Sequence, residues 1–287
     1  MSTTVAAAEA VVPDSPSPVE VSRGTSIRVA EVTKAVVAPV AFGAVLFGAW
    51  EAAVAVFDIK PYFLVPPSAI LDRFVENFGR IWDAMAVSGT NALFGLVGGA
   101  VLGVAMSFLL LRFRVLDEIV TPLSIALNAI PIFVLVAVFN NMFALTSEVP
   151  RRLMVTLVVY FVVLVNVARG LRQVQATHVE LMHSYAASDW QILRRVRVPN
   201  AIPYFFTAVR IAAPLSVITA FVSEYFGGSQ NGLGNKITSN LATSKKAEGW
   251  AYVVGACLLG LAFYLISIIM ETVATPGGGG ERSGERA

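Results

Sequence analysis

Six apolar runs, each about as long as a lipid bilayer is thick, constrain this chain more than any other feature. They cover about residues 35–57, 88–111, 122–144, 153–168, 201–225 and 250–270. An α-helix rises ~1.5 Å per residue, so a run of this length covers the ~30 Å hydrocarbon core. Hydrophobic residues make up 56% of the chain and charged residues 14%, with a mean hydropathy of +0.71. That average is too apolar for a soluble globule. The expected fold is all-α: a polytopic membrane protein with about six transmembrane helices over residues 31–274.

The flanks differ in character. Residues 1–30 are rich in Ala, Val, Ser, Pro, Thr and Glu without helical periodicity, and are expected to form a disordered cytoplasmic tail. They lack the basic start of a signal peptide. Residues 275–287, TPGGGGERSGERA, are expected to be flexible. Between the first two spans, Pro66, Pro67 and Ser68 open a helix with Ile70, Leu71, Phe74, Val75 and Phe78 on one stripe, and Asp72, Arg73 and Glu76 on the other side. Gly95, Gly98, Gly99 and Gly103 mark a span that lets a neighbour approach closely. Pro131 is expected to kink the third span. Trp50 and Glu51 suit an interfacial position.

A polar interruption, residues 169–200, breaks the apolar pattern. Thr177 precedes Glu180 by three residues and Ser188 precedes Gln191 by three, so both pairs match a capping box. Residues 186–189 are the expected joint, and Pro199 and Pro203 are expected to end the second helix and start the next segment. The spacing predicts a helix, a tight turn and a helix outside the bilayer. With the amino terminus inside, Arg112, Arg114, Arg169, Arg172, Arg194, Arg195 and Arg197 fall on the cytoplasmic side. Arg151–Arg152 and Lys245–Lys246 count the other way.

Several chemistries have no support in the residues. A net charge of +2, with the basic residues scattered at segment ends, does not suit nucleic acid. Cys257 is alone, and His178 and His183 lack a metal-ligand cluster, so no metal site is expected. Gly227 and Gly232 have the glycine spacing of a phosphate-cradling loop, but Leu233 and Gly234 stand where Lys and Ser/Thr are required. The Gly277–Gly280 run lacks the Lys too. No catalytic constellation gathers at one membrane face. The chain is therefore expected to be no enzyme and to hold no cofactor of its own.

The polar loop resembles the EAA loop of inner-membrane permease subunits of ATP-binding-cassette importers. Glu180 matches the leading Glu, Ala186 stands at the Gly position, and Val196, Val198 and Pro199 match the aliphatic-x-aliphatic-Pro ending. Ser188, Trp190, Arg194 and Arg195 are similar to the nitrate/sulfonate/taurine branch, as is the Pro66–Leu71 run. Leu181 and Met182 replace a small pair, which implies a bulkier docking face. Ala186 in place of Gly implies a turn that needs no positive φ.

The resemblance implies a type I importer fold and two permease copies. It also implies separate ATPase subunits carrying ATP and Mg, an extracytoplasmic solute-binding protein, and an inner-membrane location. Glu180, Leu181, Met182, Tyr185, Ala186, Ser188, Trp190 and Pro199 are then the ATPase-coupling residues. Val179, Leu181, Met182, Tyr185 and Ala186 would form the inserted face, while Trp190, Leu193 and Val196 would hold the second helix to the bundle.

Polar groups inside spans are costly and often functional. Asn128, Asn140, Asn141, Ser216, Thr219, Ser223 and Glu224 are candidates to line a translocation path, against the plainer reading of interhelical hydrogen bonding. Arg210 can pair with a carboxylate or, as favoured here, snorkel inward. Residues 226–249 are read as a polar outer loop, part of which can meet a binding protein. The rival class is an ion-gradient-driven secondary transporter, which would show inverted halves and broken midplane helices. The substrate suggested by the branch is a sulfonate, nitrate, aromatic carboxylate or thiamine-precursor-like compound.

Overall fold

A computed structural model describes residues 26–143, 147–227 and 231–274, with side chains from residue 37 onward. Most of both expected tails, residues 1–25 and 275–287, lies outside the described residues. Among the described residues the chain is helical, with no strand.

By contacts the chain divides after Ala52. Helix α1 (Ser26–Val56) makes up most of the first unit and begins four residues earlier than the tail was expected to end. Its stretch Val37–Val56 is apolar enough to cross a membrane.

The second unit starts with α2 (Pro67–Glu76), the expected amphipathic helix, with Pro67 in its first turn and Ile70 buried. Helix α3 (Phe78–Arg112) follows after Asn77, starting ten residues before the expected span. Helices α4 (Arg114–Asn128) and α5 (Ile132–Met142) come next, then α6 (Val149–Arg172). The polar loop holds α7 (Ala176–Ser184), α8 (Asp189–Ile192) and a π-helical turn, Leu193–Arg197. Helix α9 (Val198–Tyr225), α10 (Leu233–Ala242) and α11 (Lys246–Ala274) complete the chain.

The seam between α3 and α6 sets the bundle. Buried positions of α3 recur every three or four residues, from Ser88 through Gly95, Gly99 and Gly103 to Ser107. They face Val155, Val159 and Val163 of α6, which share that spacing. A Cβ on Gly99 would lie 2.7 Å from the Thr156 carbonyl oxygen, and one on Gly103 would lie 2.9 Å from that of Tyr160. The backbones therefore meet at a distance only glycine permits. In lipid, close packing of this kind replaces the hydrophobic effect as the main attraction between helices.

Contacts along the seam run in the same order on both helices. Asn91 bonds Glu148 just before α6 begins (2.6 Å), and Ser107 bonds the Leu164 carbonyl near its far end (3.2 Å). Helices α3 and α6 are thus parallel, so the chain between them must cross once. Helices α4 and α5 make that crossing. Asp117 of α4 pairs with Arg172 at the Arg112 end (2.8 Å), while Asn140 of α5 sits beside Gly227 at the Asn91 end. The expected kink is larger than a kink: the two helices bend by 97° across Ala129–Pro131. Pro131 cannot donate a backbone N–H and disfavours helix in the residue before it, so the first helix stops and a second starts. Counting this pair as one crossing gives six apolar spans by length and composition among the described residues.

Helix α9 runs against α6, with Gly170 packed on Ala201 and Tyr204. Asn200 Nδ2 donates to the Gly170 carbonyl (2.7 Å) and the Gln173 carbonyl (3.1 Å), satisfying the open end of α6. Helix α11 is parallel to α3, with Gly255 against Ile81 and Gly89 against Leu259.

Two expectations fail here. Residues 226–249 are not simply a loop, because α10 occupies much of them and buries Leu233, Gly234 and Ile237 against α3, α9 and α11. Their polar composition hides a helix whose apolar face is only a few residues wide. Arg210 does not reach for the surface. It pairs with Glu271 of α11 at 2.8 Å, with both side chains largely buried, because the pair satisfies both charges away from water.

Candidate functional site

The polar loop projects from the Arg112 end of the bundle. Helix α7 has no buried residue. Leu181 and Tyr185 are 53% and 77% exposed, one turn apart on one face. Glu180 and Ala186 are also exposed, and Met182 is half-buried. Apolar side chains left open on a free-standing helix are the chemistry of a face that inserts into a groove.

The first capping box does not form. Helix α7 starts at Ala176 with Gln175 at its cap, and no side chain caps it. Thr177 is already inside the first turn. The second box forms in full: Ser188 Oγ accepts from the Gln191 N–H, and Gln191 Oε1 accepts from the Ser188 N–H (2.8 Å).

The joint corrects the expectation for Ala186, whose φ is +55°. Its N–H donates to the His183 carbonyl and the Ala187 N–H donates to the Met182 carbonyl. That pairing is a Schellman motif, which requires a left-handed residue at this place. The backbone demand is thus unchanged although the residue is not Gly. Ala186→Gly is expected to relieve about 1 kcal/mol of strain. The check is slower amide exchange at Ala187, whose N–H closes the motif.

Pro199 and Pro203 do not end a helix. They stand within α9, and residues Asp189–Tyr225 form one helical run of 37 residues. The π-turn Leu193–Arg197 widens the helix just before Pro199. A widened turn makes room for a ring that would otherwise strike the carbonyl four residues back. The second helix is held by Ile192, which is buried, and by Leu193, packed on the core. Val196 is half-buried, whereas Trp190, expected to share in the anchoring, is 67% exposed.

At the opposite end, polar groups of α3, α6, α9 and α10 converge. Glu224 is fully buried. Its Oε2 accepts from Ser88 Oγ (2.6 Å) and from the Gly234 N–H (3.2 Å), and the Leu233 N–H donates to Ser88 Oγ (2.9 Å). The carboxylate therefore closes the N-terminus of α10, where backbone donors are open and the helix dipole favours a negative group. Any Cβ at Gly232 would strike that carboxylate.

Alongside lies a second cluster. Glu148 pairs with Arg151, which is 1% exposed, and accepts from Asn91 Nδ2. Arg152 Nε donates to Asn91 Oδ1 (3.0 Å), and its guanidinium stands 4.5 Å from the Phe94 ring centroid. Sequence reasoning treated Arg151 and Arg152 as loop charges and missed Ser88, Asn91 and Glu148. The three-residue spacing of Glu148 and Arg151 at a helix start was the available signal.

The remaining path candidates are scattered. Ser216 and Thr219 are buried but donate to their own helix, at the Ala213 and Leu215 carbonyls (2.7 and 2.8 Å). They therefore bridge no helices. Ser223 is buried, and Asn141 donates to Ala137 within α5 (2.8 Å). Asn140 faces Gly227. Asn128 is exposed at the end of α4, on a cavity of about 350 Å³ that also holds Ser124 and the Asp117–Arg172 pair. The fold brings Glu224 to Ser88 and Asn140 to Gly227, and leaves Asn128 apart. Among the described residues no group of His, Cys, Asp or Glu could hold a metal ion.

Residues 96–277 match the family described as binding-protein-dependent transport system inner membrane component. The chain belongs to this family. It is a multi-pass membrane permease subunit of the ATP-binding-cassette importer class. The permease is 30% identical to the formylaminopyrimidine transport permease ThiX of Halalkalibacterium halodurans, over 68% of this chain and 78% of that one. It is 26% identical to the riboflavin transport system permease RibX of Chloroflexus aurantiacus, over 77% and 83%. With the taurine transport system permease TauC of Escherichia coli it shares 24% over 73% and 79%. Its fold matches an inward-facing structure of the MetNI methionine transporter with a TM-score of 0.54 and 17% identity, over 68% of the permease and 94% of that chain. The type I importer fold expected from the loop is therefore the fold of this chain.

Proposed function

We propose that the permease carries a small solute across the inner membrane by alternating access, driven by separate ATPase subunits that grip α7. The observation that carries this reading is the unbroken helical run from α8 through the π-turn into α9. At ~1.5 Å per residue its 37 residues extend ~55 Å. One end is the exposed lever, and the other ends on Glu224, which binds α3 and α10. A displacement passed from α7 through the Schellman turn at Ala186 into α8 thus reaches the opposite face along one continuous helix. The α6–α9 tie at Asn200 flanks the base of the lever and limits the rest of the bundle's response.

In this reading Glu180, Leu181, Met182, Tyr185 and Ala186 meet the ATPase, and Ser188 and the Ala186 turn set the angle between α7 and α8. Trp190 marks the membrane surface, and Pro199 sets the width of the turn above it. Two copies of the chain form the pathway, a solute-binding protein delivers from the side of α10, and ATP and Mg stay on the partners. The amino terminus is cytoplasmic. The substrate class is a sulfonate, nitrate, aromatic carboxylate or thiamine-precursor-like compound; the names of relatives that carry taurine, aliphatic sulfonates and a formylaminopyrimidine favour the sulfonate and pyrimidine members of that range.

Leu181→Ala with Tyr185→Ala is expected to weaken ATPase binding by roughly tenfold or more, since a tyrosine that becomes buried on docking is a dominant kind of anchor in such interfaces. Thermal stability of the isolated permease should change little, because Leu181 and Tyr185 are both largely exposed in it. Uptake in vesicles should fall with ATPase binding. Uptake that persists without ATP and follows a proton gradient would replace this reading with secondary transport.

A further inference from the structure

Between α7, α8 and the last turn of α3 lies a cleft of about 530 Å³. Its apolar wall is Phe108 and Leu111 of α3 with Ile192 and Leu193, and its rim carries Arg112 and Arg197. Among the described residues neither arginine belongs to an ion pair, and the acid on this rim is Asp189. Phe108 and Leu111 close an apolar run that gives way to Arg112, Phe113 and Arg114, so the cleft straddles the boundary between hydrocarbon and headgroup depth.

Helix α7 turns a distinct face to it. Val179 and His183, one turn apart, line the cleft. Leu181 stands two residues from each of them, about 200° around the helix, so the exposed Leu181–Tyr185 face points away.

We propose that this cleft is a binding site for an anionic phospholipid, which bridges α3 to the lever. The phosphodiester lies between Arg112 and Arg197, and an acyl chain lies along Phe108, Leu111 and Leu193. The fit is one of charge and depth together. Two arginines outweigh one aspartate at headgroup level, and the apolar wall continues directly into a membrane span. A soluble anion would leave that wall uncovered. A protein partner is served by the other face of α7. The inference goes beyond the transport reading and rests on it only in assigning the outer face of α7 to the ATPase. It holds for the chain in a bilayer with no partner present.

The test uses the full chain in nanodiscs with Trp50, Trp82 and Trp250 replaced by Phe, so that Trp190, at the rim of the cleft, is the only tryptophan and can be excited selectively over tyrosine. Brominated phosphatidylglycerol and brominated phosphatidylcholine are compared as quenchers in turn at equal mole fraction. Two arginines favour the anionic lipid by roughly tenfold, so phosphatidylglycerol should quench at a correspondingly lower mole fraction. Arg112→Gln with Arg197→Gln should make the two lipids equivalent.

Asp189→Asn should sharpen the preference, and this keeps the test decisive if the double variant fails to insert. Equal quenching by the two lipids in the single-tryptophan protein that keeps both arginines overturns the proposal, including in favour of a cleft reserved for a protein partner. A preference that survives the double variant removes it from this cleft. Loss of the preference on adding glycerol phosphate would make the ligand a soluble anion and overturn the lipid assignment.

Discussion

Glu224→Ala is expected to destabilise the permease by about 2–4 kcal/mol, the cost of leaving two buried donors without their acceptor together with the cavity that the lost side chain opens. The substitution leaves Ser88 Oγ and the Gly234 N–H without their acceptor in a place closed to water. It also opens a void beneath Gly232, whose backbone rests on the carboxylate. The helix that loses most is α10, because its first N–H groups are held there and by Ser88. Glu224→Gln keeps an oxygen acceptor of nearly the same shape and should cost only about 1 kcal/mol. Thermal unfolding of the purified permease checks both, and limited proteolysis within residues 226–249 should report the release of α10. Equal losses for Ala and Gln would mean that the charge itself, rather than the acceptor, holds the cluster.

The second large effect belongs to the α3–α6 seam. Gly99→Ala places a methyl 2.7 Å from the Thr156 carbonyl oxygen and 2.6–2.8 Å from the Val159 side chain. The carbonyl is backbone, so relief requires the helices to separate along a seam that also carries Gly95 and Gly103. Overpacking of this kind costs about 1–3 kcal/mol, and here the whole seam shifts, so the upper end is expected. The control is Gly79→Ala in the same helix, where nothing lies within 4 Å of the added atom. That change should stabilise the helix by about 0.5–1 kcal/mol, the usual gain of Ala over Gly. Opposite signs for one chemical change would separate close packing from helix propensity. A neutral Gly99→Ala would mean that α3 and α6 tolerate a wider spacing than the structure has.

On the proposed coupling, both effects bear on transport through the same helix, α9. The seam anchors α3 and α6, α9 packs against them, and Glu224 ends α9 on α3 and α10. On the proposed coupling, weakening either place would let a push on the lever dissipate before it reaches the opposite face. Uptake should therefore fall faster than unfolding alone accounts for.

What the sequence determined was set by local chemistry. Long apolar runs have one solution in lipid, so the helical class and the number of crossings followed from length and hydropathy. The glycine spacing of α3 announced a tight seam, and Ser188 with Gln191 announced a cap, because each depends only on residues a turn apart. The family was legible in the spacing from Glu180 to Pro199. Tertiary structure alone decided what depends on distant partners. Arg210 found Glu271 sixty-one residues away, and Glu224 found Ser88 across 136. Polar residues 226–249 became a helix because neighbouring spans covered Leu233 and Ile237. Pro199 stayed within a helix because a π-turn made room for it. Ala186 took a left-handed backbone because the geometry of the joint, not the residue, chose its φ. In each case the energy lies in a contact or a turn closure that the residue's own preferences do not encode.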